Sequence, residues 1–232
     1  MEFEILPVTR YEQNCSILWC ERTHRAAVID PGGDVSTIVG ALELLELEPE
    51  VALVTHGHFD HCGGAARFAE LTGARIEGPH RGDSAMVAAL AETGARFNLP
   101  AKPFTPSRWL EHGDVIRFGG EELEVLHCPG HSRGHVAYFS RQARWAFVGD
   151  ILFRHAIGAW EHGDGSLPDL VGSIRNRLFP LGDDVSFVPG HGPTSTFGHE
   201  RRENPFVGEA ALCRWNARPR PPADPATSPT DN

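Results

Sequence analysis

The sequence predicts an α/β fold in which two stacked β-sheets are covered by helices on both outer faces. Three observations carry this. Short β-prone runs fall into two groups, helix-period segments lie between and after them, and 232 residues suffice for one large body with at most a small appendage. In the first group, residues 3–8, 15–19 and 26–29 are apolar runs broken by polar or turn residues, and read as strands. Asp34 is placed as a helix N-cap because Val35, Ile38, Leu42 and Leu45 follow it at helical spacing. Residues 51–54 form a continuous apolar run, as a strand buried on both faces requires. Helices over 65–71 and 84–92 come next, stopped by Gly73 and Gly94. After a loop containing Pro100, Pro103 and Pro106, strands are expected at 115–118, 122–126, 136–139, 145–148 and 186–188. One further helix, 170–178, precedes the last of them.

Residues 1–215 are the expected folded body. Residues 216–232 hold five prolines and no apolar periodicity, and read as a disordered tail. The formal charge is −10, all of it on the body, which repels polyphosphate and argues against a nucleic-acid partner. No apolar run approaches the ~18 residues that cross a bilayer, and the start, Met1-Glu2-Phe3-Glu4, is acidic where a secretory signal is basic. Five cysteines without a Cys-x-x-Cys pair suit a reducing compartment. A cytoplasmic protein with a small-molecule substrate and no membrane partner is therefore expected; the oligomeric state is left open.

Thirteen histidines are the informative feature. Thr55-His56-Gly57-His58-Phe59-Asp60-His61 puts three imidazoles and a carboxylate directly after the 51–54 strand, and Gly63-Gly64 then lets the chain turn into a helix. Neutral imidazole is a common ligand for borderline metals, and a carboxylate adds charge that favours a divalent ion. A chain of this composition shows His-x-His-x-Asp-His by chance only about two times in a thousand. Three more apolar runs end the same way, at His131, Asp150 and His191, each beside glycine. Residues at neighbouring strand ends of one sheet meet in space. Five imidazoles and two carboxylates exceed the need of one tetrahedral ion and suit two. The predicted assignment puts His56, His58 and His131 on one ion, Asp60, His61 and His191 on the other, and Asp150 between them. No ligand is a thiolate, so open positions for water remain.

Asp30 in Val-Ile-Asp-Pro-Gly, the Thr-His56-x-His58-x-Asp60-His61 run, His131, Asp150 and His191 together resemble the metallo-β-lactamase superfamily, over nearly all of residues 1–200. Cys128-Pro129-Gly130-His131-Ser132-x-Gly134-His135, Pro189-Gly190-His191-Gly192-Pro193 and Ser195-Thr196-x-Gly198-x-Glu200-x-x-x-Asn204-Pro205 are similar to its glyoxalase II-like, single-domain branch. The resemblance implies an αββα four-layer sandwich of two mixed sheets flanked by helices. It also implies a dinuclear site holding two divalent ions, zinc first, with iron or manganese as alternatives. Two departures stand out. A Pro-rich tail takes the place of the helical domain of full-length glyoxalase II, and Gly158-Ala159-Trp160-Glu161 replaces the usual Gly-Arg-Ser/Thr-Asp, which weakens recognition of an anionic glutathione conjugate.

The activity the resemblance implies is hydrolysis of a thioester, with a glutathione conjugate as one candidate, by hydroxide from a water shared between the ions. Asp60 is cast as a ligand that orients that hydroxide. His135 and Asp30 are candidates for holding ligand orientation, each equally readable as a hydrogen-bonded structural residue. Cys62 and Cys128, beside the ligand segments, read as small packed residues. His155 and His162 stand out among the remaining histidines because they flank the altered loop. Competing readings are a persulfide dioxygenase with one iron on His56, His131 and Asp150, a lactonase, and a non-catalytic module stabilised by metal.

Overall fold

The computed structural model describes residues 1–211, so the expected end of the body at 215 and the tail at 216–232 lie outside the described residues. Strands β1 (Glu2–Val8), β2 (Gln13–Trp19), β3 (Arg25–Ile29), β4 (Glu48–Leu53) and β5 (Arg75–Glu77) form one sheet in that order. β1, β2 and β3 pair antiparallel, while β3, β4 and β5 pair parallel. The second sheet contains β6 (Val115–Phe118), β7 (Glu121–His127), β8 (Val136–Ser140) and β9 (Trp145–Gly149). A small hairpin, β10 (Leu152–Phe153) and β11 (Ala156–Ile157), follows. The chain then adds β12 (Ser186–Pro189) parallel to β9, with β13 (Ser195–Thr196) at the edge.

Alternation along the strands builds three apolar layers. Ala27, Ile29, Val51 and Leu53 of the first sheet meet Val125, Val136, Tyr138, Phe147 and Val188 of the second in the central layer. Their sequence neighbours point outward. Ala26, Val28, Ala52 and Val54 pack under α1 (Val35–Leu44) through Ile38 and Leu42, and under α3 (Ala65–Thr72) through Phe68. Ala137, Phe139, Ala146, Val148 and Phe187 pack under α6 (Leu167–Ser173) through Leu170. Each fully buried Leu, Ile or Phe contributes ~1.5–3 kcal/mol. The period of two is thus satisfied on both faces of both sheets, and the result is the expected four layers, helix, sheet, sheet, helix.

The remaining described α-helices are short: α2 (Phe59–Cys62), α4 (Ser84–Ala88), α5 (Leu90–Arg96) and α7 (Phe197–Glu203). None of the described helices is long and apolar enough to cross a membrane. Two local expectations are corrected. Gly94 does not stop a helix, because α5 runs through it to Arg96. A Cβ there would sit 2.5 Å from the Leu99 carbonyl oxygen and 2.7 Å from Ala101 Cβ, so the glycine admits a returning loop. Asp34 does precede α1, yet its carboxylate caps nothing in that helix. It accepts the Thr9 N–H at 2.6 Å instead.

The sheets are also joined by polar contact. Buried Tyr138 of β8 donates its hydroxyl to the Val54 carbonyl, just after β4, at 2.7 Å. Removing that donor leaves a buried acceptor short of a partner. Tyr138→Phe is expected to lower unfolding free energy by about 1–3 kcal/mol, read as a shifted urea midpoint at unchanged slope.

Candidate metal centre

Strand direction decides where the histidines go. β3 and β4 are parallel, so Asp30 and Thr55-His56 leave the first sheet at one edge. β7, β9 and β12 all run in one direction, so the segments carrying His131, Asp150 and His191 leave the second sheet at one edge. The two edges face each other. The loop after β4 passes His56 into the interior, His58 directly precedes α2 with its ring turned to the centre, and α2 itself presents Asp60 and His61.

All seven side chains singled out by sequence come together. His58 Nδ1 lies 2.9 Å from His56 Nε2 and 3.0 Å from His131 Nε2, which makes one three-nitrogen cluster. Asp60, His61 and His191 make a second: His191 Nε2 is 3.3 Å from His61 Nε2 and 3.3 Å from Asp60 Oδ2. Asp150 touches both, with Oδ1 3.4 Å from His61 Nε2 and Oδ2 3.7 Å from His131 Nε2. Asp150 Oδ1 is buried with no hydrogen-bond partner, a costly state for a carboxylate oxygen. Ring nitrogens packed this closely, beside an orphaned carboxylate, form a donor set able to hold divalent cations.

Orientation comes from the far side of each ring. His61 Nδ1 meets Asp30 Oδ2 at 2.8 Å, His131 Nδ1 the Ala159 carbonyl at 2.8 Å, and His191 Nδ1 the Tyr11 carbonyl at 3.0 Å. These acceptors keep the proton on Nδ1 and leave Nε2 bare toward the centre. His56 Nδ1 faces Thr55 Oγ1 at 3.0 Å, and that hydroxyl donates to Asp30 Oδ2 at 2.6 Å. Asp30 also accepts the Thr55 N–H at 2.7 Å, so one carboxylate fixes two rings. His135 stacks on His56, and its Nε2 accepts the Asp150 N–H at 3.1 Å. Both residues expected to hold orientation therefore touch a candidate ligand or its support.

The electrostatics divide in the same way. Burial, reinforced by neighbouring imidazoles, holds His56 well below the usual histidine range, and His58 falls to about 4. Burial by itself would raise Asp150, but His61, His131 and His191 pull it well below the carboxylate range. Burial likewise opposes charge on His61, yet Asp150 and Asp30 lift it well above the normal value. One side resists protons while the other demands positive charge, a division that divalent cations would satisfy.

Sequence reasoning missed two positioning groups. Buried Asp83 accepts the Gly57 N–H at 2.9 Å, the Ser132 hydroxyl at 2.7 Å and the Gly134 N–H at 2.6 Å, which ties the His56–His58 loop to the His131 loop. Nothing in Arg81-Gly82-Asp83-Ser84 distinguishes it from a surface turn. Asn14, at the start of β2, accepts nothing from this region but donates its amide to the Pro189 and Gly192 carbonyls at 3.0 and 2.9 Å, framing His191. Between them Gly190 is obligatory, since a Cβ would lie 2.1 Å from Asp150 Oδ1. Asp83→Ala is expected to weaken metal affinity ~10–100-fold with secondary structure retained, measured by chelator competition.

The neighbouring thiols are packed away from solvent. Cys62 and Cys128 are buried, as the packed-residue reading expects; Cys62 donates to the His58 carbonyl at 3.2 Å rather than facing the centre. Burial pushes the Cys128 thiol up to about 12 and lifts Cys15 and Cys62 well above normal. The thiolate is the reactive form, so these three are expected to stay unalkylated by iodoacetamide at pH 8. Mass spectrometry before and after denaturation checks this.

Comparison with known proteins shows the family. Residues 8–191 match the family model of the metallo-beta-lactamase superfamily. Hydroxyacylglutathione hydrolase GloC of Haemophilus influenzae is 40% identical over 209 residues, 89% of this chain and 98% of that protein. Among solved structures, the BLEG-1 B3 metallo-beta-lactamase superposes with a TM-score of 0.82 at 29% identity, covering 89% of this chain and 99% of that one. TTHA1623 in a di-iron-bound form gives 0.79 at 31%, covering 88% and 99%. The chain belongs to the metallo-beta-lactamase superfamily and is a metallo-hydrolase of that family.

Proposed function

We propose that this chain is a dinuclear hydrolase of thioesters of the hydroxyacylglutathione type. The observation that carries the reading is Asp150: one half-buried carboxylate reaches two separate three-donor clusters and leaves a buried oxygen without a hydrogen bond. His56, His58 and His131 would hold one divalent ion, Asp60, His61 and His191 the other, with Asp150 shared. Such ions supply Lewis acidity, acidifying a water and polarising an acyl carbonyl. The likeness to a hydroxyacylglutathione hydrolase supports the substrate class, and the likeness to a di-iron-bound structure supports two ions without fixing the metal.

The chain's own residues account for the rest. Asp60 keeps the His191 side negative and orients the attacking water. Asp30, Thr55, Ala159 and Tyr11 hold the imidazoles so that little reorganises during reaction. A cavity of about 290 Å³ opens on His58 and His131 and is walled by Met86, Ser132, His162 and Asp164, room for the acyl end of a small thioester. A departing thiolate needs little protonation, so no dedicated acid is required. Ala159 stands where the resemblance expects a cation, and its carbonyl serves His131 instead. Arg133, near this mouth, is paired with Asp164 at 3.5 Å. Recognition then rests on the acyl thioester more than on glutathione's carboxylates.

The test is metal analysis of protein purified without added metal, followed by a panel of thioesters, lactones and persulfides. Two ions per chain and fastest cleavage of S-lactoylglutathione or a related thioester are expected. Oxygen uptake with glutathione persulfide on a single iron, or a lactone preferred throughout, overturns the proposal. His58→Ala is expected to lower kcat/KM by more than about 100-fold with an unchanged circular dichroism spectrum. Unchanged turnover at full metal loading would refute its role.

A further inference from the structure

We infer that His155, His199 and Glu200 form an additional site for a divalent transition-metal ion of the zinc type. It shares no residue with the central clusters and stands independently of the proposed hydrolysis. His155 sits at the turn of the β10–β11 hairpin, and His199 and Glu200 lie in α7. One donor atom from each of the three lies within 4.8 Å of the others.

Three features mark the group as built. The imidazoles face each other through Nε2, 3.4 Å apart, with rings inclined at 72°. Two nitrogens bound tetrahedrally to zinc at 2.0–2.1 Å stand about 3.3–3.4 Å apart. His61 and His191 in the central site show nearly the same arrangement, 3.3 Å and 74°.

The carboxylate is the second feature. Glu200 is fully buried and accepts from the Ser195 hydroxyl at 2.6 Å, the His155 N–H at 2.8 Å and the Asn204 amide at 2.9 Å. All three partners are neutral, so a buried negative charge lies beside two imidazoles with no cation among its hydrogen-bond donors. Placing a dication between the rings supplies that charge.

Backbone positioning is the third. His155 adopts φ 61°, a left-handed conformation that asparagine, aspartate and histidine accept more readily than other non-glycine residues, and its N–H is fixed on Glu200. The His199 N–H is fixed on Thr196 Oγ1 at 3.1 Å. Both rings are thus delivered by anchored backbone, and the exposed side of His155 leaves room for water as a further ligand. An ion here would fasten the hairpin to α7. The same hairpin leads directly into Ala159, whose carbonyl holds His131.

The experiment compares zinc content between variants and does not depend on how many ions the centre holds. Full-length protein is equilibrated with zinc in slight excess, passed through a gel-filtration column in metal-free buffer, and assayed for zinc per chain. His155→Asn keeps the left-handed backbone, which asparagine tolerates, and keeps the N–H that Glu200 accepts. His199→Gln removes the other ring. Each variant is expected to carry one zinc fewer than wild type, and zinc is expected to raise the wild-type Tm more than the variants'. Equal zinc content in wild type and the double variant overturns the inference. So does a loss of more than one equivalent, which would mean that the pair supports the central site instead.

Discussion

The structure depends on how His61, His131 and His191 are held from behind. A ring can present a bare nitrogen to a cation only if its other nitrogen keeps the proton, and here fixed acceptors enforce that choice. Asp30 does so for His61, the Ala159 carbonyl for His131 and the Tyr11 carbonyl for His191. Two of the three are main-chain groups, so the protonation pattern is written into the course of the backbone. The loops at the sheet edges therefore have little freedom to vary in path. Asp83 and Asn14 serve the same end from greater distance, by joining those loops to each other and to β2.

Much of this was legible in the sequence because two kinds of signal are local. Strand alternation and short apolar runs located most core strands of both sheets, and the clustered His-x-His-x-Asp-His run announced its chemistry. His131, Asp150 and His191 were readable because each ends an apolar run beside glycine, and parallel strands deliver such endings to one edge. The misses share a cause: they depend on partners outside the segment itself. β5 and β13 are three and two residues long and exist through pairing with β4 and β12. Gly94 looked like a helix stop, but its requirement comes from Leu99 and Ala101 folding back over it. Asp83 gains its importance from residues 26 and 51 positions away, which no local pattern records.

The loop that departs from the family pattern is instructive for the same reason. Read as a string, Gly158-Ala159-Trp160-Glu161 lacks a cation and suggests a lost contact to substrate. In the fold, Ala159 has a second duty that any side chain could discharge, since its carbonyl is what His131 uses. Selection on the side chain at 159 is thereby uncoupled from selection on ligand orientation, and Trp160 is free to pack toward Phe206. Substrate range can drift at this loop while the central chemistry stays put.

Each three-donor cluster draws members from both halves of the molecule: His56 and His58 from one sheet's edge with His131 from the other, Asp60 and His61 with His191 likewise. Ions seated there would act as rivets across the interface, and thermodynamic linkage would make the opposed sheets harder to part as occupancy rises. Cells short of the metal would then lose not only turnover but also the lifetime of the polypeptide, through easier opening and proteolysis.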